Sequence, residues 1–298
     1  MSGAVATLPD VAPGIAMYCE APQVSQEQAA LIARAADIFS QRDVCPAWSR
    51  LPVAVGFYRY KEDIPAGTPT IPLLDHGDDP EALAYHTAGA NGRIWGLVDV
   101  AACIAAGGGI LAGGPSVASA FMHEVGETEI NCYVGGWEDM PDGEHEVSRE
   151  ICDPVQDMSY AITVEGEEVD ASNFVFPQWF NRWPNPGARF DFMGALKEPF
   201  TRTGGGYMVK RKGGRVIQDG MTPAHKPDSP LRRIARMAGR RASLVLGGRV
   251  LDDYTIGAIV ARAHDIGQAH AQVVADVVAR ERAALAKALA RAASRAAS

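Results

Sequence analysis

Phe121-Met122-His123-Glu124-Val125-Gly126-Glu127 sets His123 and Glu127 four residues apart, with a second carboxylate, Glu124, directly after the histidine. On an α-helix, positions i and i+4 project from one face about a turn apart, so both side chains can reach one ion. Glu124 at i+1 lies off that pair, where a base acting on an ion-held water would stand. The flanking residues predict the helix itself: Ser116 can cap it, and Val117, Ala120 and Phe121 open an apolar spacing that runs to about Ile130. On a charged helix a His-Glu-x-x-Glu string is usually a solvated face. Here it follows Ala118, Ala120, Phe121 and Met122, an apolar approach that points inward.

The spacing is that of the H-E-x-x-H zinc hydrolases with glutamate in place of the second histidine. A catalytic zinc takes three protein ligands and keeps one position for water. His123 and Glu127 supply two, and Glu150 or Asp153, in Arg149-Glu150-Ile151-Cys152-Asp153-Pro154, supplies the third. Glu124 is then the catalytic base on a zinc-held water. One histidine with two carboxylates also suits manganese or calcium better than a two-histidine set does. His86, in Ala84-Tyr85-His86-Thr87, fits substrate binding, metal ligation or a structural role. Tyr160 and Tyr207 are candidate substrate-side groups that could stabilise an oxyanion. Asp75, His76, Asp78 and Asp79 read as a solvated turn or a calcium-like loop.

Outward from the helix, Ser25 to Gln41 reads as a helix, with strands at 53–58, 70–74 and 93–100. The glycine-rich stretch 105–114 lacks the spacing of a phosphate loop and reads as a mobile segment, a candidate substrate lid. Hairpin strands follow around Tyr160–Val164 and Asn173–Pro177, then an aromatic cluster with Trp179, Phe180 and Trp183. Helix, strands, an edge-like strand and a ligand-bearing helix is the element order of the zincin fold. The expectation is α+β: a zincin-like domain of mixed sheet plus active-site helix over 1–210, a basic linker over 211–250 and a long amphipathic C-terminal helix over 251–298. That last helix has Ile259, Ile266, Val273 and Val277 near heptad spacing, suited to assembly.

The 298 residues carry a net charge of −8, unevenly. Residues 1–199 hold 10 Lys+Arg against 29 Asp+Glu, whereas residues 200–249 hold 12 against 2. No aromatic residues interleave with the arginines of that basic block. Docking onto the acidic body is therefore the expectation for it, and nucleic acid is not an expected partner. Five scattered cysteines without a C-x-x-C pair indicate neither a disulfide framework nor a cysteine-rich zinc site. No apolar run has transmembrane length and Met1 to Asp10 lacks signal-peptide character, so a cytoplasm is the expected location and no membrane is a partner.

Tyr85-His86, Met122-His123-Glu124-Val125-Gly126-Glu127, Asn131, Glu150-Ile151-Cys152-Asp153-Pro154, Asn173-Phe174-Val175-Phe176-Pro177-Gln178-Trp179-Phe180 and Gly205-Gly206-Tyr207 occur in that order. In this order they resemble a family of proteins from tailed bacteriophages and prophages, over roughly residues 15–210. The His-Glu-x-x-Glu and Glu-Ile-x-Asp pair is also similar to the core of the phosphate-induced, EXORDIUM-like secreted proteins. The resemblance implies a zincin-like fold rather than a reaction, with His123, Glu127 and Glu150 or Asp153 as a metal cluster and Glu124 as base. This chain has Met122 where serine is frequent and Gly126 where a bulky residue is frequent. Two functions follow as expectations: a phage zinc-dependent hydrolase acting on peptides, or a non-catalytic virion head or tail protein that assembles with itself or with other virion proteins.

Overall fold

The computed structural model describes residues 14–78, 82–88, 94–213 and 215–220. The chain divides into two units, Met1–Arg233 and Ile234–Ser298, and every described residue belongs to the first. The C-terminal helix expected over 251–298 and most of the basic linker lie outside the described residues.

Mixed α+β architecture builds up from short elements. β1 (Ile15–Met17) pairs in parallel with β2 (Val55–Phe57), and the connection between them carries α1 (Gln26–Ile38). Ser25 closes a capping box with Gln28, while Ala29, Ile32, Ala33 and Ala36 form the buried stripe of α1. The chain then continues through a π-helical turn, Phe39–Val44, into the short α2 (Cys45–Ala47). β5 (Ile94–Asp99) lies between β3 (Leu73–Leu74), parallel to it, and β4 (Ala84–Ala88), antiparallel to it. Bridges Ala16↔Thr70 and Cys19↔Leu73 tie the β1 segment to the β3 segment. β4, a strand that the sequence did not announce, is thus the antiparallel end of this arrangement.

Asp99 ends β5 and caps α3 (Val100–Ala105), accepting from the Ala102 amide at 2.8 Å and the Gly77 amide at 2.7 Å. α4 (Val117–Asn131) begins where Ser116 accepts from the Ser119 amide, as the capping residue predicts. It packs against α1, α3, β4 and β5, and against β9 of a hairpin formed by β8 (Ser159–Val164) and β9 (Glu167–Ser172). Glu165 and Gly166 both adopt positive φ, 55° and 89°, as a two-residue hairpin turn requires. The glycine-rich stretch is held rather than loose. The Val117 amide donates to the Gly109 carbonyl at 3.0 Å, the Asp170 amide to the Leu111 carbonyl at 2.8 Å, and the Gly113 amide to the Asp170 carboxylate at 2.7 Å.

A four-stranded antiparallel sheet has the order β11-β10-β7-β6, formed by β6 (Trp137–Asp139), β7 (Glu146–Ser148), β10 (Met208–Lys212) and β11 (Arg215–Asp219). The boundary expected at residue 210 therefore falls inside β10, and the folded body continues through β11. Lys210, Arg211 and Lys212 form ion pairs with Asp219, Glu146 and Glu144. This part of the basic block docks onto acidic side chains of its own body. Of the aromatic residues, Trp179 is fully buried and donates to the Thr201 carbonyl at 2.8 Å, while Trp183 stands 84% exposed.

Gly126 stands where two other segments close on α4. A Cβ there would stand 3.3 Å from Phe39 Cε1 and 3.4 Å from Cys152 Sγ, so the glycine lets the π-helical turn and the Cys152 loop close on the helix. Gly126→Val is expected to destabilise the fold by about 1–3 kcal/mol through overpacking. A thermal melt that shows no decrease would remove this packing role.

Candidate metal centre

α4 delivers three side chains to one place. His123 and Glu127 share a helix face, and Glu124 projects beside them toward β4. The loop after β7 contributes Glu150, Cys152 and Asp153, and β4 contributes His86 from the antiparallel end of its sheet. His86, Glu124, Glu127, Glu150, Cys152 and Asp153 are all buried, and the His123 side chain keeps 14% of its surface exposed.

The contacts run as a chain through Glu127. His123 Nε2 lies 3.2 Å from Glu127 Oε1 and 3.2 Å from Asp153 Oδ1. The other oxygen, Glu127 Oε2, lies 3.7 Å from His86 Nδ1, which is itself 3.0 Å from Glu124 Oε2. Glu150 Oε2 lies 3.9 Å from His86 Nε2, and the Cys152 amide donates to Glu127 Oε1 at 3.3 Å. Two sets of donor atoms gather within 4.8 Å and could each hold a metal ion: His123, Glu127 and Cys152, and His86, Glu124 and Glu127.

One detail separates this cluster from an ordinary buried ion-pair network. An imidazole nitrogen carries at most one proton, yet the carboxylates of Glu127 and Asp153 converge on the same Nε2 of His123 at equal distance. A single N–H serves both poorly. Ligands about 2.1 Å from one ion sit about 3.0–3.4 Å from each other, and His123 Nε2 stands at that spacing from each of the two carboxylate oxygens. The donor set therefore fits a divalent cation: two imidazoles and four carboxylates carry net negative charge by themselves even with both rings protonated.

The same crowding shifts the protonation of the ion-free cluster. Burial pushes the Glu127 carboxyl up to about 7, reinforced by the nearby Asp153 charge and only partly opposed by His123. Burial disfavours the charged His123 ring, but the Glu127 charge and hydrogen bonds to Asp153 and Glu127 hold its pKa well above the ordinary histidine value. Burial, with the same carboxylates, raises the Cys152 thiol well above its usual range, so Cys152 meets the cluster as a neutral thiol.

The end of α4 braces the cluster. Asn131 donates to Glu150 Oε1 at 3.1 Å while its own Oδ1 accepts from the Gly135 and Gly136 amides at 3.1 and 2.7 Å. Ser148 donates to the same Glu150 oxygen at 3.3 Å. Asn131 follows Glu127 by four residues, so helical spacing would have placed it on the ligand face. The role of Cys152 had no such signal, because a loop carries it there.

The sequence-derived ligands His123, Glu127, Glu150 and Asp153 come together, with Asp153 on the His123 side and Glu150 on the His86 side. Glu124 joins them, directed at His86. His86 is enclosed by the cluster at 1% exposure, in one of the two groups that could hold a metal ion. Tyr160 lies apart from these contacts: its hydroxyl donates to Asp43 at 2.6 Å and its ring packs on Phe192. Tyr207 is buried, and its amide donates to the Asp153 carbonyl at 3.0 Å, which steadies the ligand loop. His76 lies 3.7 Å from Asp75, both solvated, in the polar loop before β4, whose Asp79 is outside the described residues.

No helix among the described residues is long and apolar enough to cross a membrane. No protein-family model, curated protein or solved structure matches this chain.

Glu129, on another face of α4, offers an independent check of how dry this helix is. Burial raises its carboxyl from 4.5 to about 7, opposed by Ser40 and Cys45. An acid whose folded pKa is raised leaves the fold unpenalised at low pH and costs stability as pH rises from about 4.5 through 7. Glu129→Gln is expected to stabilise the protein at pH 8, by on the order of 3 kcal/mol at most, and to change little at pH 5. Equal effects at both pH values in chemical denaturation would contradict the buried carboxyl.

Proposed function

We propose that the protein is a metallohydrolase-like phage protein with a zincin-like plan, whose α4 centre binds a divalent cation of the zinc class and acts on peptide bonds. The observation that carries this reading is the convergence of the Glu127 and Asp153 carboxylates on one nitrogen of His123. Supporting the plan are, in chain order, α1, the strands β2 and β3, the antiparallel strand β4, then β5 parallel to β3, the short α3 and the helix bearing His123, Glu124 and Glu127.

His123, Glu127 and Asp153 would hold the ion. Zinc in such a site supplies Lewis acidity and a water with its pKa lowered toward about 7. Glu124 is the proton acceptor, and His86, 3.0 Å away, fixes the direction of its carboxylate. The Cys152 amide orients Glu127 from behind, and the Tyr207 amide holds the Asp153 loop. His123 is the most exposed member, so reactants approach from its side.

Glu124→Gln is the direct test, with the zinc-reconstituted full-length protein and a panel of peptides. Loss of about 10²–10⁴-fold in hydrolysis, with zinc retained at His123, supports Glu124 as base. Retained activity removes it from that role.

A second reading rests on how closed the centre is: the side chains of Glu124, Glu127, Glu150 and Asp153 are at most 9% exposed. Structural metal sites are closed, whereas catalytic ones keep a position open. On that reading the body is a non-catalytic virion head or tail component, assembling with itself or its neighbours through residues 251–298. Removing residues 220–298 is expected to abolish oligomers in sedimentation while circular dichroism stays that of a folded body. Oligomers that survive the deletion would contradict an assembly role for the tail.

A further inference from the structure

We propose that the cluster is built for two divalent cations that share Glu127 as a bridge. This rests on the reading of the cluster as a metal centre, but not on hydrolysis.

The two oxygens of Glu127 face different histidines. Oε1 lies 3.2 Å from His123 Nε2, and Oε2 lies 3.7 Å from His86 Nδ1. Each histidine has its own further carboxylate: Asp153 at 3.2 Å from His123 and Glu124 at 3.0 Å from His86. The cluster is therefore two ligand sets with one common member. Both candidate metal groups contain Glu127 and otherwise share no residue: Cys152 completes the one at His123, where Asp153 also approaches, and Glu124 completes the one at His86.

Two imidazoles and four carboxylates is the donor count of carboxylate-bridged dinuclear centres built in helical proteins. Two-metal sites place their ions about 3.5–4 Å apart, a separation that one carboxylate spans by giving an oxygen to each.

His86 can serve either arrangement. Without an ion, an Nδ1–H can donate to Glu124 at 3.0 Å; with an ion in the His86 set the proton would sit on Nε2, which has the Asn131 carbonyl at 3.4 Å as acceptor, and Nδ1 would face the cation together with Glu124 and Glu127. Carboxylate-rich sets with one imidazole per ion favour Mn(II)- or Fe(II)-type cations over zinc alone. With one ion bound, Glu124 accepts a proton. With both bound it becomes a ligand, so the occupancy of the His86 set governs what Glu124 does.

The test uses full-length protein, stripped with chelator and titrated with Mn(II), and in parallel with zinc. Metal content is read by mass spectrometry and the Mn(II) form by electron paramagnetic resonance. The expected result is two ions per chain with an exchange-coupled manganese signal. His86→Gln is expected to reduce this to one ion with the hyperfine pattern of isolated Mn(II). Glu124→Gln serves as a second variant should His86→Gln misfold, and it is expected to weaken the same ion. One ion per chain, lost in His123→Ala and unchanged in His86→Gln or Glu124→Gln, overturns the second site and leaves the single-ion centre standing. No ion of either kind in the wild type overturns both.

Discussion

Everything around α4 follows from holding like charges together out of water. Removing a carboxylate from solvent costs several kcal/mol unless a partner compensates, and here four carboxylates gather with two imidazoles. The structure meets this with convergent contacts rather than isolated pairs. Glu127 stands at the middle, with an oxygen facing each histidine and a backbone amide behind it. Lower charge by protonation or higher charge balance by a cation are the two ways such a set becomes stable, and the geometry at His123 suits the second.

The scaffold is arranged to close on that point. Gly126, one residue before Glu127, leaves room for Phe39 and Cys152 to reach the helix. Phe39 comes from the π-helical turn after α1, so an irregular turn far along the chain is coupled to the packing of the ligand helix. Asn131 ends α4 and holds Glu150 with one end of its amide and the following turn with the other. The glycine-rich segment, pinned to the start of α4 and to β9, fixes the helix at its opposite end. A ligand helix restrained at its start, middle and finish keeps side-chain positions well defined, which a metal centre needs.

Much of this was legible in the residues, for identifiable reasons. Ser116 and the spacing through Phe121 announced α4, and i, i+4 geometry put His123 and Glu127 on one face whatever the rest of the fold did. The hairpin announced its first strand, Tyr160–Val164, but the second lies at Glu167–Ser172 rather than at Asn173–Pro177, because the turn at Glu165-Gly166 is only two residues long. β4 did not announce itself, because Ala84-Tyr85-His86-Thr87-Ala88 is buried along most of its length and carries no alternating pattern. For the same reason His86 stayed ambiguous: only its pairing opposite Gly96 brings it over α4. The choice between Glu150 and Asp153 was likewise invisible, since a three-residue offset in a loop has no fixed direction. The segment near 210 misled in the other sense. Its run of basic residues resembles a linker, yet alternation along β10 lets Lys210 and Lys212 pair on one side while Arg211 meets Glu146.

The central claim is that nitrogen and oxygen donors on α4 and its neighbours bind a cation directly. X-ray absorption at the zinc edge of the zinc-loaded protein tests this most closely. The result expected is a first shell of nitrogen and oxygen only, at about 2.0–2.2 Å, with imidazole scattering reduced in His123→Ala. A sulfur shell at about 2.3 Å would hand the site to the Cys152 thiolate, and a shell of water alone would show that the buried charges are balanced by protons instead.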